Sequence, residues 1–291
     1  MQRVQELTVA SGVLPDVEPG LPTLRKHTDE ATTPSHTFNL HHFHPDGYAP
    51  AVPVEISIIV PVFNEADNVL PLAREVAKAL DKEPRPFELV FVDDASRDGT
   101  WERIQEAYRL DPRVRGVRHE RNSGQSGALW TGILSTNAPI ITTLDGDLQN
   151  DPADLPRLLA ELNNADFVCG MRFNRRDNWL RRVSSRIARW ARKAALGTDF
   201  QDTGCAVRVF KRSTLAGVFP FNGWHRFLPV LVHACGVATK EVPVNHRPRV
   251  AGVSKYGVWN RLWRGIADLI GVAWHLRRRL RPVATTRFPK E

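Results

Sequence analysis

Acidic residues terminate three buried β-branched runs, and nothing else in this chain restricts its fold as much. EISIIVPV (55–62), FELVFVDD (87–94) and PIITTLDGD (139–147) are continuous apolar runs that end in Asn64-Glu65, Asp93-Asp94 and Asp145-Gly146-Asp147. Runs of this kind are strands buried on both faces, the signature of a parallel sheet. VRGVRH (114–119) reads as a further strand. Helical spacing intervenes at Val69, Leu72, Ala73, Val76, Ala77 and Leu80, and helices are predicted over Thr100–Tyr108, Gly127–Leu134 and Leu155–Leu162. Strands alternating with helices predict an α/β fold, a mostly parallel central sheet with helices on both faces. Ligands of such sheets bind outside the carboxyl ends of the strands. One acidic strand end is explained by a turn or an N-cap; three together mark a site.

With 42% apolar and 25% charged residues in 291, the chain can bury a real core, which excludes disordered, collagenous and disulfide-rich designs. Cys169, Cys205 and Cys235 are scattered and form no Cys-x-x-Cys pair, the pattern of an intracellular chain. Cys205 has no activating His beside it and reads as a small core residue. No run reaches the roughly 18 uncharged apolar residues of a membrane span, and the opening MQRVQELTVA lacks a signal peptide's apolar core. The expectation is a cytoplasmic protein, soluble or bound to a membrane surface. Residues 1–52 read as a loose extension, and His41, His42 and His44 within it as a solvated cluster rather than a metal site.

The net charge of +8 is unevenly spread. Residues 172–212 hold 12 Lys/Arg against 3 Asp/Glu, and residues 258–291 hold 8 against 2. An anionic partner is implied for the C-terminal half: a phosphate, nucleic acid or a membrane surface. Nucleic acid is the poorest fit, because no recognition module is present and the positive charge flanks a carboxylate-rich centre. Neither Gly-x-Gly-x-x-Gly nor Gly-x-x-x-x-Gly-Lys-Ser/Thr occurs, so the usual backbone cradles for phosphate are missing. A divalent cation held by Asp145 and Asp147 would neutralise a diphosphate in their place.

Five motifs then fall in order: ISIIVPVFNEADNV (56–69), VDDASRDGT (92–100), RNSGQSGAL (121–129), LDGDLQNDP (144–152) and Arg-x-x-Gly-x-Ser-Lys-Tyr from Arg249 to Tyr256. Over roughly residues 55–257 the chain resembles the family 2 glycosyltransferases, and within them the dolichol-phosphate mannosyltransferases and polyprenyl-phosphate glycosyltransferases. The resemblance implies a GT-A fold that uses a nucleotide-diphospho-sugar with Mg²⁺ or Mn²⁺. It implies that Pro61, Phe63 and Glu65 line a nucleoside pocket, with Phe63 standing where the family often has Tyr. Asp93 would hold the base or ribose, with Asp94 nearby. Asp145, Asp147 and Gln149 would form the metal and diphosphate site. Arg249, Ser254 and Lys255 would close over the diphosphate and assist its departure.

Acceptor-side motifs follow from the same resemblance. GMR (170–172) and NWLRRVSSR (178–186) imply Arg172, Arg181 and Ser185 as ligands of an acceptor phosphate, with Arg182 as a competitor. The same stretch also fits a helix with a solvated basic face and a buried stripe of Leu180, Val183, Ile187, Trp190 and Ala191. In DTGCAVRVFKR (202–212), Asp202 is a candidate near the reacting centre or a turn cap, and Ala206 stands where some relatives have Gly. In residues 258–282, Trp259, Leu262, Trp263, Ile266, Ile270 and Ala273 form one helical stripe ahead of Arg277, Arg278, Arg279 and Arg281. This amphipathic helix either lies in an anionic membrane interface or packs on the catalytic domain; many bacterial relatives continue into transmembrane helices at this point.

The expected organisation is an extension (1–52), a transferase domain (53–257) and a basic C-terminal helix and tail (258–291). The expected reaction is metal-dependent, inverting transfer of a hexose to polyprenyl phosphate at the cytoplasmic membrane face. GDP-mannose and UDP-glucose are both compatible donors. A soluble or glycan acceptor is the alternative, and a membrane-protein partner is left open.

Overall fold

The computed structural model describes residues 53–172, 189–248 and 258–279, the last with side chains from residue 265 onward. The N-terminal extension with its His cluster, the segment with Arg181, Arg182 and Ser185, the loop with Arg249, Ser254 and Lys255, and the final basic tail lie outside the described residues.

Seven strands form one sheet in the order β3-β2-β1-β4-β6-β5-β7. They are β1 (Ile56–Val62), β2 (Phe87–Asp93), β3 (Val114–Arg118), β4 (Ile140–Thr143), β5 (Phe167–Arg172), β6 (Arg208–Lys211) and β7 (Thr239–Val244). Pairing is parallel throughout except at β6, which runs antiparallel to both β4 and β5. The predicted mostly parallel sheet is therefore present, with the one reversal supplied by the DTGCAVRVFKR strand.

Side-chain alternation sorts the helices to two faces. Ile56, Ile58, Val60, Leu89, Phe91 and Val168 point to a cluster completed by α1 (Ala66–Ala79), α2 (Thr100–Leu110) and α4 (Leu155–Ala160). Ile59, Val90, Val92, Phe167 and Phe210 point to the other face, against α3 (Gly124–Leu134), α5 (Leu228–Ala234) and α6 (Val258–Arg278). The central strands β1 and β2 thus bury both faces, which is why their runs carry no polar alternation, whereas the edge strands β3 and β7 are partly exposed.

Two expectations about apolar stripes need correction. Trp190 is 72% exposed, and its helical segment over 189–196 is instead anchored by Ala195 and Leu196. In α6, Ala273 of the expected stripe packs on the domain together with Leu269, Val272 and Leu276, whereas Ile266 and Ile270 are exposed; the side chains of Trp259, Leu262 and Trp263 lie outside the described residues. Both choices of face satisfy helical periodicity, and the core cluster beneath the helix selects between them.

Candidate functional site at the carboxyl edge of the sheet

After β1 the chain turns one way along the sheet to β2 and β3, and β4 returns to the other side of β1. The crevice for a ligand opens at that reversal, between the ends of β1 and β4. The residues leaving β1, β2 and β4 include Asn64, Ala95 and Leu148, whose φ angles are 53°, 61° and 59°. Left-handed backbone is unfavourable for residues with a Cβ and concentrates at functional sites. Here the three form the described chain's complete set of non-glycine positive φ values, and all lie on one edge.

Asp145 and Asp147 occupy the turn after β4. Gly146 between them is needed for packing: a Cβ there would meet Val62 Cγ1 at 2.7 Å and the Pro61 carbonyl oxygen at 3.3 Å. Asp147 Oδ1 accepts a hydrogen bond from the Gln149 amide at 3.2 Å, and Asp145 Oδ1 accepts one from Gln125 Nε2 at 2.8 Å. Burial, and then the charge of Asp147, push the Asp145 carboxyl up to about 6; Arg208, Arg172 and the Gln125 bond oppose the rise. Two acids crowded to this degree favour a cation between them. Among the described residues no group of three or more His, Cys, Asp or Glu gathers into a closed metal cage. A two-carboxylate set leaves positions open for ligand oxygens, as a hard cation bridging to a diphosphate requires.

On the β2 side of this turn is a cavity of about 600 Å³, walled by Phe63, Ser96, Arg97, Arg118 and Asn122. Asp93 lies behind it, fully buried, with Oδ1 accepting from the Ser96 amide at 2.9 Å. Its Oδ2 is 3.2 Å from Arg118 Nε without hydrogen-bond alignment. Asp94 faces elsewhere. Its two oxygens accept the Ser123 and Gly124 amides at 2.7 and 2.8 Å, and His119 Nδ1 lies 2.8 Å from Oδ1. It anchors the amino end of α3, where unpaired N–H groups and the helix dipole both favour a carboxylate. Asp94 thereby shapes the site from behind. Glu65 Oε2 accepts from Asn68 Nδ2 at 2.6 Å, and its amide donates to Thr100 Oγ1 at 2.9 Å, so it fixes the start of α1. Pro61 sits within β1 in register with Val92.

On the other side, the structure brings Arg172 and Asp202 together as a bidentate pair. Arg172 Nε and Nη2 donate to Asp202 Oδ2 and Oδ1 at 2.7 and 2.8 Å. This hydrogen-bonded carboxylate raises the guanidinium's affinity for its proton. Asp202 also accepts from the Gly204 amide at 3.2 Å, so it holds a turn as well. The stem leading to Arg249 is tied beside the metal-type turn: the Arg247 amide donates to the Gln149 carbonyl at 2.8 Å, and its guanidinium reaches Glu75 and Asp151, both at 2.7 Å.

The model for "Glycosyl transferase family 2" matches residues 57–216. The chain belongs to glycosyltransferase family 2. Among curated relatives of this transferase, dodecaprenyl-phosphate galacturonate synthase of Rhizobium johnstonii is 36% identical over 239 residues, covering 80% of the chain and 70% of the relative. The undecaprenyl-phosphate 4-deoxy-4-formamido-L-arabinose transferase of Aeromonas hydrophila is 33% identical over 205 residues, 70% of the chain and 63% of that protein. The chain thus spans somewhat less than two thirds of the second relative's length. Glucosyl-3-phosphoglycerate synthase from Mycobacterium tuberculosis superposes with a TM-score of 0.58 at 19% identity, covering 84% of this transferase and 90% of that chain. That likeness establishes the GT-A fold.

Sequence reasoning missed several lining residues. Gln125 stood inside a quoted motif without a role, and Arg208 inside another. Ser96 likewise stood in a quoted motif without a role, while His225 and Arg226 carried no local signal, because only tertiary folding brings them to this edge.

Proposed function

We propose that this transferase moves a sugar, with inversion, from a nucleotide-diphospho-sugar to polyprenyl phosphate, with Mg²⁺ or Mn²⁺ held by Asp145 and Asp147 beside Gln149. The carrying observation is the Asp145–Asp147 turn at the sheet's reversal, with a nucleoside-sized cavity on one side and the Arg172–Asp202 pair on the other. The cation would offset charge on the departing diphosphate. Phe63 offers a face for base stacking, and Asp93 backs the same cavity. In this reading Arg249 and Lys255 would add positive charge over the diphosphate as negative charge builds there, with Ser254 as a hydrogen-bond donor. Arg172, oriented by Asp202, joins Arg181 and Ser185 in receiving the acceptor phosphate. A phosphate monoester with a second pKa near 6 is mostly dianionic at neutral pH, so it attacks the anomeric carbon without a dedicated base. The relatives' names, each a polyprenyl phosphate, support that acceptor.

The reading places residues 53–257 as the catalytic domain and α6 on the inner membrane face. Ile266, Ile270 and Trp274 are 40%, 65% and 61% exposed along one line of α6. Arg278 stacks over Trp274 at 5.5 Å, in a segment whose excess of positive charge suits anionic lipid. No described helix is long and apolar enough to cross a membrane. The test is transfer of radiolabelled sugar into organic solvent by the purified chain with Mn²⁺, with and without a short polyprenyl phosphate. GDP-mannose, UDP-glucose and uronate donors would run in separate tubes. Lipid-dependent label is expected; donor hydrolysis with label appearing only on soluble acceptors would replace the lipid reading.

A further inference from the structure

A second cavity, of about 240 Å³, adjoins Asp145 on the side away from the Phe63 pocket and is walled in part by Gln125, Leu129, Arg208, His225 and Arg226. A donor with its nucleoside at Phe63 and its diphosphate at Asp145 and Asp147 directs its sugar here, so this inference rests on the nucleotide-sugar reading above.

Apart from the Asp145 carboxylate and the Thr143 and Gln125 side chains, the polar side chains that wall this cavity are two arginines and a histidine. Arg208 is 3% exposed, and its Nη2 donates to the Thr203 carbonyl at 3.0 Å. Its Nε has no hydrogen-bond partner, and no carboxylate lies within ion-pair distance among the described residues. Asp145 is close enough only to act through space. Burying a guanidinium with a single carbonyl partner and no counter-charge in contact is costly, a cost that a bound anion removes. Arg226 brings a second, half-exposed guanidinium, held loosely by Asp268 at 3.4 Å.

His225 adds a third polar group. Ser126 Oγ accepts from the Gly223 amide at 2.8 Å and lies 2.7 Å from His225 Nδ1. With the Ser126 hydroxyl donating to Nδ1, the imidazole carries its proton on Nε2. Burial and the neighbouring arginines push this imidazole down to about 3, so it stays neutral and acts as a donor.

Neutral hexoses present hydroxyl groups that both give and accept, and they are usually met by a mixture of carboxylates, amides and carbonyls. Two guanidinium groups and a neutral imidazole form a set suited to a planar carboxylate. We infer that this cavity is built for a sugar bearing a carboxylate, so that the transferred group is a uronate and Arg208, Arg226 and His225 read its acid group. The Rhizobium relative, named for a galacturonate, agrees with this from an independent direction.

The test is calorimetric titration of the full chain with Mn²⁺, using donor pairs that share a base and differ at C6. These are UDP-galacturonate against UDP-galactose, UDP-glucuronate against UDP-glucose, and GDP-mannuronate against GDP-mannose. At least one uronate should bind about tenfold or more tighter than its neutral partner, a difference of about 1.4 kcal/mol. Arg226→Gln and His225→Gln should each shrink that ratio several-fold; Arg208→Gln should shrink it furthest, and circular dichroism would check that this buried variant folds. Neutral donors binding as tightly as uronates in the wild type, or a ratio that survives Arg226→Gln and His225→Gln, overturns the inference. Lipid transfer measured alongside separates the two readings. Efficient transfer of a neutral hexose to polyprenyl phosphate keeps the transferase and overturns the uronate. A uronate preference without lipid product keeps the uronate and overturns the acceptor. Binding of no donor overturns both.

Discussion

Asp145 and Asp147 share a single turn, and their proximity has a measurable signature. The Asp145 carboxyl, at about 6, sits above its ordinary value of 3.8, so the folded chain holds this proton more tightly than the unfolded chain does. Its stabilising contribution is present below the ordinary value and is lost as pH rises through about 6. A cation at the pair offsets that loss, so Mn²⁺ should raise the melting temperature more at about pH 7 than at about pH 5. An equal shift at both pH values would remove the pair as the cation site. Asp147→Asn should cut transfer by at least about 100-fold while changing stability by less than about 0.5 kcal/mol, as read by initial rates and a melt side by side. The acids were legible in the sequence because each ends a strand, and strand ends carry a local signal. Asp94 was legible as an acid but not in its duty, since its partners Ser123 and Gly124 follow a further strand and are joined to it only by folding.

Helix α6 is set against the domain by one close approach. Gly223 has φ +102°, and a Cβ there would meet Asp268 Oδ2 of α6 at 2.9 Å. Gly223→Ala should therefore cost more than about 1 kcal/mol and loosen α6, seen as faster proteolysis between α5 and α6 than elsewhere in the chain. The opposite face gives an independent prediction. Ile270→Asp with Trp274→Asp should lower sedimentation with anionic vesicles at least about tenfold and leave the melting temperature nearly unchanged, since both side chains are exposed. Unchanged vesicle binding would mean that this face meets something other than lipid. The periodicity of α6 showed that it is amphipathic but not its phase. A stripe through Leu269, Val272 and Leu276 suits a helix as well as one through Ile266 and Ile270, and only the surface beneath decides. The core strands were plain for the opposite reason: burial on both faces leaves no phase to choose.

Across the whole molecule the charge is divided, carboxylates at the sheet edge and cations toward the C-terminal half. Association with anionic vesicles should weaken steeply as salt is raised from about 0.05 to 0.5 M, because exposed charges are screened over about a Debye length. Donor binding measured in the same buffers should change much less. β6, the one reversed strand, gives the molecule a further property. Arg208, which opens β6, pairs with Thr143 at the end of β4, and β5 closes on the same edge with Arg172. β5 delivers Arg172 to this edge and β6 delivers Arg208, so the stretch between them has both attachment points fixed by sheet pairing. Such a stretch is a cassette. Exchanging residues 173–207 between transferases of this fold should carry acceptor preference with it and leave the nucleotide half, built by β1, β2 and β4, as it was.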